Sequence, residues 1–266
     1  MKYLKLSFVI LLSFIGSFEA FSQLDYKYEP LPCLNKKFTI LAHIVLDQNG
    51  QAGITEDLIL LEIDSLNSYF APICASFEIC AFDTITNWQF DNLDDDPEYQ
   101  DMLVKYHKAN RINMFFVADT QIPNACGFAS VSGIQQLMSG AIVIKKEDCV
   151  SGNGGKVIPH EMGHYFGLLH TFEGNGIELV DGSNCETEGD NICDTPADPF
   201  VPGDPMENYL DGCRFISQKL DANGQYYMPD VGNVMSYYST SCTCGFTHQQ
   251  YLKMAKTYND SDPKMW

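Results

Sequence analysis

Residues 160–170 read His-Glu-Met-Gly-His-Tyr-Phe-Gly-Leu-Leu-His, a stretch able to build a hydrolytic zinc site. His160 and His164 are four residues apart, so on a helix they share one face, about 6 Å apart along the axis. Two imidazoles at that spacing can reach one ion. Glu161, beside the first of them, can point at the same ion without binding it and hold a water. His170 lies six residues beyond His164, out of phase with that face. The chain must therefore leave the helix in between, and Gly167 is the residue able to take the left-handed conformation this demands. Three neutral imidazoles leave a fourth position open for water, as a catalytic rather than a structural zinc requires. A single histidine on an apolar helix face is ordinarily a packed core residue. Three of them, with a glutamate and a glycine in this register, form a far more specific pattern.

Several elements must position these side chains. Residues 38–46 are apolar and β-branched, as in a buried strand, and Asn49-Gly50 and Gly53 end it. Thr55 is a capping residue for a helix to about Phe70, with Ile59, Ile63, Leu66 and Phe70 along one stripe. A second strand is expected over 76–86 and a third over 112–118, with 128–131 and 141–144 as short ones. Between them Asp94-Asp95-Asp96-Pro97 opens a helix to about His107. The histidine helix is expected from about Gly155 to Leu169, and Thr247-His248-Gln249-Gln250 opens a final one to about Tyr258. Residues 173–233 are rich in Gly, Asp, Asn and Pro with little periodicity, so bridges or bound ions are expected to organise them. The loops starting at Asp47 and Asp221 lack EF-hand spacing and read as turns. The pattern is α/β (α+β) architecture around one cleft.

The chain opens Met1-Lys2-Tyr3-Leu4-Lys5 and then runs apolar from Leu6 to Phe18, which describes a cleavable export signal ending at Ser22. An uncleaved anchor is the alternative, although the run is short for a span of ~20 residues. Residues 23–37 then form a short N-terminal segment, in the place of a pro-segment, and 38–266 one peptidase-sized domain. All 10 cysteines follow residue 22, which suits an oxidising destination. Cys74 with Cys80 and Cys185 with Cys193 are close enough in sequence to pair, though connectivity stays open. The net charge of −19, from 35 acidic and 16 basic residues, argues against nucleic acid as a partner.

Downstream lies Asn233-Val234-Met235-Ser236-Tyr237. With His160-Glu161-x-x-His164-x-x-Gly167-x-x-His170 it resembles the metzincin clan of zinc peptidases, in which a methionine-containing turn supports the metal from below. His170-Thr171-Phe172, Gly189-Asp190, Asp194-Thr195-Pro196 and Phe246-Thr247 narrow the likeness to the pappalysin family, over roughly residues 38–258. The resemblance implies a metzincin-type catalytic domain: a twisted, mostly parallel sheet with backing and active-site helices (about 38–167) above a smaller irregular lower subdomain ending in a helix (about 168–266). It implies zinc on His160, His164 and His170, Glu161 as general base and acid, Met235 as the turn methionine, and Tyr237 as a mobile metal ligand that also bonds the reacting oxygen. It places structural calcium near Asp190, Asp194 and Asp198, and a substrate strand along the edge at Gly127-Phe128-Ala129. Relatives often carry a zinc-blocking cysteine in a pro-segment; Cys33 is the residue in that place, with a disulfide the plainer role for it. Some relatives carry acidic residues after the turn tyrosine and favour arginine. The corresponding stretch here, Tyr238-Ser239-Thr240-Ser241, has none.

The expected activity is that of a secreted zinc endopeptidase. Glu161 takes a proton from the attacking water and returns it to the leaving amine, while the Tyr237 hydroxyl steadies the oxyanion. The expected partners are protein or peptide substrates, with no membrane attachment after signal cleavage and the chain acting as a monomer. A non-catalytic binding module on the same scaffold and a disulfide-bonded structural protein are the rival classes. Metal chelation and reconstitution separate them. His43, His107 and His248 fall outside the metal pattern and default to structural or surface roles.

Overall fold

A computed structural model describes residues 29–94, 96–120, 122, 125–146, 148–151 and 155–265. The expected export signal lies outside the described residues. In chain order the elements are β1 (Lys36–Val45), α1 (Glu56–Phe70), β2 (Ala75–Ile85), the two-residue β3 (Asn92–Leu93), α2 (Asp96–Tyr106), β4 (Ile112–Val117) and the two-residue β5 (Asp119–Thr120). There follow β6 (Gly127–Ala129), β7 (Ala141–Lys145), the single turn α3 (Asp148–Ser151), α4 (Val157–Tyr165), β8 (Leu210–Asp211), β9 (Arg214–Phe215) and α5 (His248–Asn259).

The main sheet runs β2-β1-β4-β7-β6, parallel except for β6, which pairs antiparallel with β7. β4 is buried at every position, as expected of a parallel strand covered on both faces. One face packs on α1 and α4. Ile59, Ile63, Leu66 and Phe70 of α1 are all buried there, each side chain contributing roughly 1.5–3 kcal/mol. The Thr55 side chain caps α1 by accepting from the Leu58 amide. The other face is closed by Phe90, Met102, Leu103 and Tyr106 around Phe115 and Val143.

Below α4 the chain has little regular structure between residues 166 and 247. An aromatic cluster of Phe172, Phe200, Tyr209, Leu210 and Tyr238 holds part of it. The disulfides Cys185–Cys193 and Cys213–Cys242 cross-link the rest. Asp47 and Asp221 each fold a turn, accepting amides from Asn49 and Gln51, and from Asn223 and Gln225.

The cysteine pairing departs from expectation at one place. Cys74 bonds to Cys33, not to Cys80. Cys80 lies six residues along the extended β2, roughly 20 Å from Cys74 at strand rise, far beyond disulfide reach. It is the extra residue of a bulge, between the Ile40–Ile79 and Leu41–Ala81 pairs. Cys33 is brought to Cys74 because Leu34 and Lys36 donate to the Ile73 and Cys74 carbonyls. Its thiol is thereby spent, so a thiolate latch from Cys33 on the metal site is overturned. Cys126–Cys149 completes the set, and Cys80 and Cys244 are free.

Candidate active site

α4 is shorter than the histidine motif suggested. Gly155, at φ +74°, breaks the chain before it. Pro159 sits in the first turn, where its missing N–H has no partner to lose. After Tyr165 the chain turns: the Gly167 amide donates to the His164 carbonyl and the Leu168 amide to the Gly163 carbonyl. Gly167 takes φ +93°, and a Cβ there would lie 2.8 Å from Thr257 Oγ1. Both conformation and packing therefore require glycine, and the turn swings His170 back toward the helix.

The three histidines converge. One nitrogen from each of His160, His164 and His170 lies within 4.8 Å of the others. His160 Nδ1 bonds the Val234 carbonyl and His164 Nδ1 the Leu168 carbonyl, each at 2.8 Å. Those carbonyls can only accept, so Nδ1 carries the proton and Nε2 keeps its lone pair. His164 Nε2 and His170 Nε2 are 3.0 Å apart. Burial, with the other two imidazoles adding to it, holds His160 well below the usual histidine range. Burial also lowers His164, and burial then His164 lowers His170 to about 3. All are neutral donors at physiological pH, as a divalent ion needs.

Glu161 is buried, and its Oε2 has no hydrogen-bond partner. Burial pushes its carboxyl up to about 8. A divalent ion alongside would draw it back to the ionised form. Tyr237, 40% exposed, stands at the mouth with its ring 4.7 Å from His170 and 5.7 Å from His160. These residues line a cleft of about 740 Å³ that also touches Gly127, Lys156, Phe172, Asp204 and Tyr238.

Met235 is fully buried beneath α4. A Cβ on Gly163 would lie 2.5 Å from its sulfur, so the thioether packs directly on helix backbone. The turn is held by Asn233, which accepts from the Met235 amide at 2.9 Å and donates to Gln250 of α5 at 3.0 Å. Phe172 stacks on His170 at 4.7 Å and 9°. Gly163, Asn233, Gln250 and Phe172 were given no role by sequence reasoning. A glycine between two helical ligands, where alanine is more stable by about 1 kcal/mol, was the one available signal of a close approach.

β6 is the edge strand of the sheet, and Gly127, Phe128 and Ala129 pair only with β7. A Cβ on Gly127 would meet Val143 O at 2.5 Å and Glu161 Cγ at 3.3 Å, so glycine lets the edge approach the glutamate. Phe128 faces away, against Tyr99.

Asp190, Asp194 and Asp198 do not converge on a common point. Among the described residues the histidine trio is the one group of three metal-binding side chains that does. Asp190 accepts from the Ile192 amide and the Thr195 hydroxyl. Asp194 accepts from Thr247 and the Gln249 amide at the start of α5. Asp198 binds Thr171, Tyr238 and the Phe200 amide, tying the segment after His170 to the residue after Tyr237. His43 is buried between Asp83 and Asn113, and His107 bonds the Gly140 carbonyl, both structural as expected.

Residues 130–259 match the profile of the family described as pregnancy-associated plasma protein-A, and 77–171 that of the reprolysin-like metallopeptidase family M12B. This chain belongs to the pappalysin family of metzincin zinc metallopeptidases. An extracellular metalloprotease of Verticillium alfalfae is 28% identical to this pappalysin over 231 residues, 82% of the chain and 72% of the relative. One from Aspergillus fumigatus is 36% identical over 102 residues, 38% of the chain and 27% of the relative. The fold of this pappalysin is similar to that of Tannerella forsythia mature mirolysin in complex with a cleaved peptide. That match has a TM-score of 0.61 and 17% identity, and it covers 82% of this chain and 89% of the other. The family makes the chain a zinc metalloprotease with the α+β metzincin catalytic fold.

Proposed function

We propose that this metalloprotease is a secreted endopeptidase whose single catalytic zinc is held by Nε2 of His160, His164 and His170. The donor set fits the ion. Two of the rings have Nδ1 fixed on backbone carbonyls, and the Nε2 atoms of His164 and His170 face each other at 3.0 Å. That juxtaposition carries the reading, because two lone pairs so placed need a shared cation.

A zinc ion bound there would supply Lewis acidity to water and to the scissile carbonyl. The residues of this chain do the rest. Glu161 is buried and otherwise unpartnered at Oε2; it takes a proton from the attacking water and passes it to the leaving amine. The Tyr237 hydroxyl donates to the oxygen on which negative charge develops. The β6 edge, at Gly127 and Ala129, offers free backbone groups to an extended substrate, and the cleft excludes water around the reacting bond. Residues 38–266 act as one catalytic domain, the sheet and α4 above this cleft and the irregular segment below.

Secretion rests on the leader-like first 22 residues, the four disulfides and relatives named extracellular metalloproteases. Calcium, if bound, would act on stability rather than chemistry, and the buried carboxylates of Glu178 and Asp190 are the pair it would relieve.

The test is digestion of a peptide library and a denatured protein by oxidised, zinc-loaded material, with and without chelator. Internal cleavage abolished by chelator and restored by zinc is expected. Inert zinc-loaded protein, or cleavage indifferent to chelation, would overturn the reading. Activity on a non-peptide amide alone would mark it as an amidase.

A further inference from the structure

Lys156 is a buried cation without a counter-ion. It precedes α4 by one residue and His160 by one helical turn, and it is 5% exposed. Its ammonium donates to the Tyr238 carbonyl at 3.2 Å. Among the described residues its other N–H groups have no acceptor and it forms no ion pair. Asp198 and Asp230 influence it only from longer range, and the Asp198 oxygens are already engaged by Thr171, Tyr238 and the Phe200 amide. Burial lowers its pKa to about 8, which leaves it largely protonated at neutral pH. Buried charges are ordinarily paired. This one lacks a partner, and it lines the catalytic cleft.

The other charges of that wall are committed. Among the described residues lining the cleft Lys156 is the only lysine or arginine, and the carboxylates are Glu161 and Asp204. Asp204 accepts from the Tyr209 hydroxyl at 2.6 Å and pairs with Lys219. Lys156 touches Tyr238, the neighbour of Tyr237, while its carbonyl accepts the His160 amide. Its ammonium is thus within one side chain's reach of the bond to be cut.

Resting on the endopeptidase reading above, we propose that Lys156 is a specificity determinant that receives the carboxylate of an aspartate or glutamate flanking the scissile bond. A carboxylate there would supply the acceptors that the ammonium lacks and form a charge-assisted bond in a site shielded from water. An arginine or lysine would instead meet a like charge. The net charge of −19 opposes acidic substrates at long range, but salt screens that field beyond about 8 Å. The selection is therefore confined to one substrate position and does not extend to acidic tracts.

The experiment uses the full oxidised, zinc-loaded enzyme. Library profiling should show aspartate and glutamate enriched at one of the two positions flanking the cut. Matched peptides with glutamate or glutamine there should differ in kcat/KM by roughly tenfold or more. In Lys156→Met that ratio should fall to near one, whatever the absolute rate, and in Lys156→Glu the preference should turn toward arginine and lysine. A wild-type profile without acidic preference overturns the proposal, and so does a folded Lys156→Met that keeps it. If the variants do not fold, by circular dichroism, the wild-type profile decides alone. Absence of any cleavage by wild type would instead overturn the endopeptidase reading, and this inference with it.

Discussion

His164 and His170 present their Nε2 atoms to each other at 3.0 Å, across the turn made at Gly167. His164 is already fixed through Nδ1 on the Leu168 carbonyl, so its free lone pair points at its neighbour. A divalent ion satisfies both rings and the third, His160. The purified chain should hold one zinc per molecule by elemental analysis, and His170→Ala should lose it while keeping the circular dichroism of the fold. Full zinc occupancy in that variant would remove His170 from the site.

Replacing Glu161 with Gln keeps the volume and removes the proton acceptor. Zinc content should be unchanged while kcat falls by roughly 10²–10⁴-fold. Near-normal turnover would mean that some other group handles the proton.

Tyr237→Phe deletes one hydroxyl at the cleft mouth and leaves the ring on His170. The expected loss is up to about 10²-fold in kcat with KM little altered. If kcat is untouched and KM rises, the tyrosine binds substrate and takes no part in the chemistry.

Gly163→Ala would drive a methyl group into the Met235 sulfur. Overpacking of this kind costs roughly 1–3 kcal/mol. A lowered melting temperature with weaker zinc retention is expected, and Gly163→Ala combined with Met235→Ala should recover part of the stability. An unshifted melting temperature in the single variant would show that the contact is dispensable.

Glu178 is pushed up from 4.5 to about 8 by burial and by Asp190 and Asp198. Asp190 is raised from 3.8 to about 7, mainly by burial. Carboxyls whose folded pKa exceeds the unfolded one bind protons preferentially in the native state, so their support for folding fades as pH rises. The depressed histidines act in the opposite sense, but only below their ordinary 6.5. Between pH 6.5 and 8 the stability of zinc-loaded protein in calcium-free buffer should therefore fall, and Glu178→Gln should flatten the slope. Added calcium flattening it likewise would locate the ion at this pair. A wild-type profile already level over that window would contradict the carboxyl shifts.

Much of the upper half was readable because its signals are local. The stripe of α1, the Thr55 cap and the capping box at Thr247 each depend on residues within a few positions. The histidine motif was readable for the same reason, since its geometry is one helix and one turn. What escaped depends on distant partners. Nothing near Asn233 announces Gln250, and nothing near Lys156 announces Tyr238. Cys74 and Cys80 are close in sequence, but an extended strand separates them in space. The three aspartates looked like ion ligands by type, yet each is used up by protein donors that no spacing rule reveals.

The stretch that carries Tyr237 has almost no strands or helices of its own and is stapled by Cys185–Cys193 and Cys213–Cys242. Where glutathione keeps thiols reduced, those staples cannot close, and the floor of the cleft would lack its shape even with zinc at hand. Such a design ties destructive power to redox geography: the producing cell is spared until its product meets an oxidising milieu. Dithiothreitol should silence the enzyme reversibly, and the return of hydrolysis should keep pace with re-formation of those two cystines.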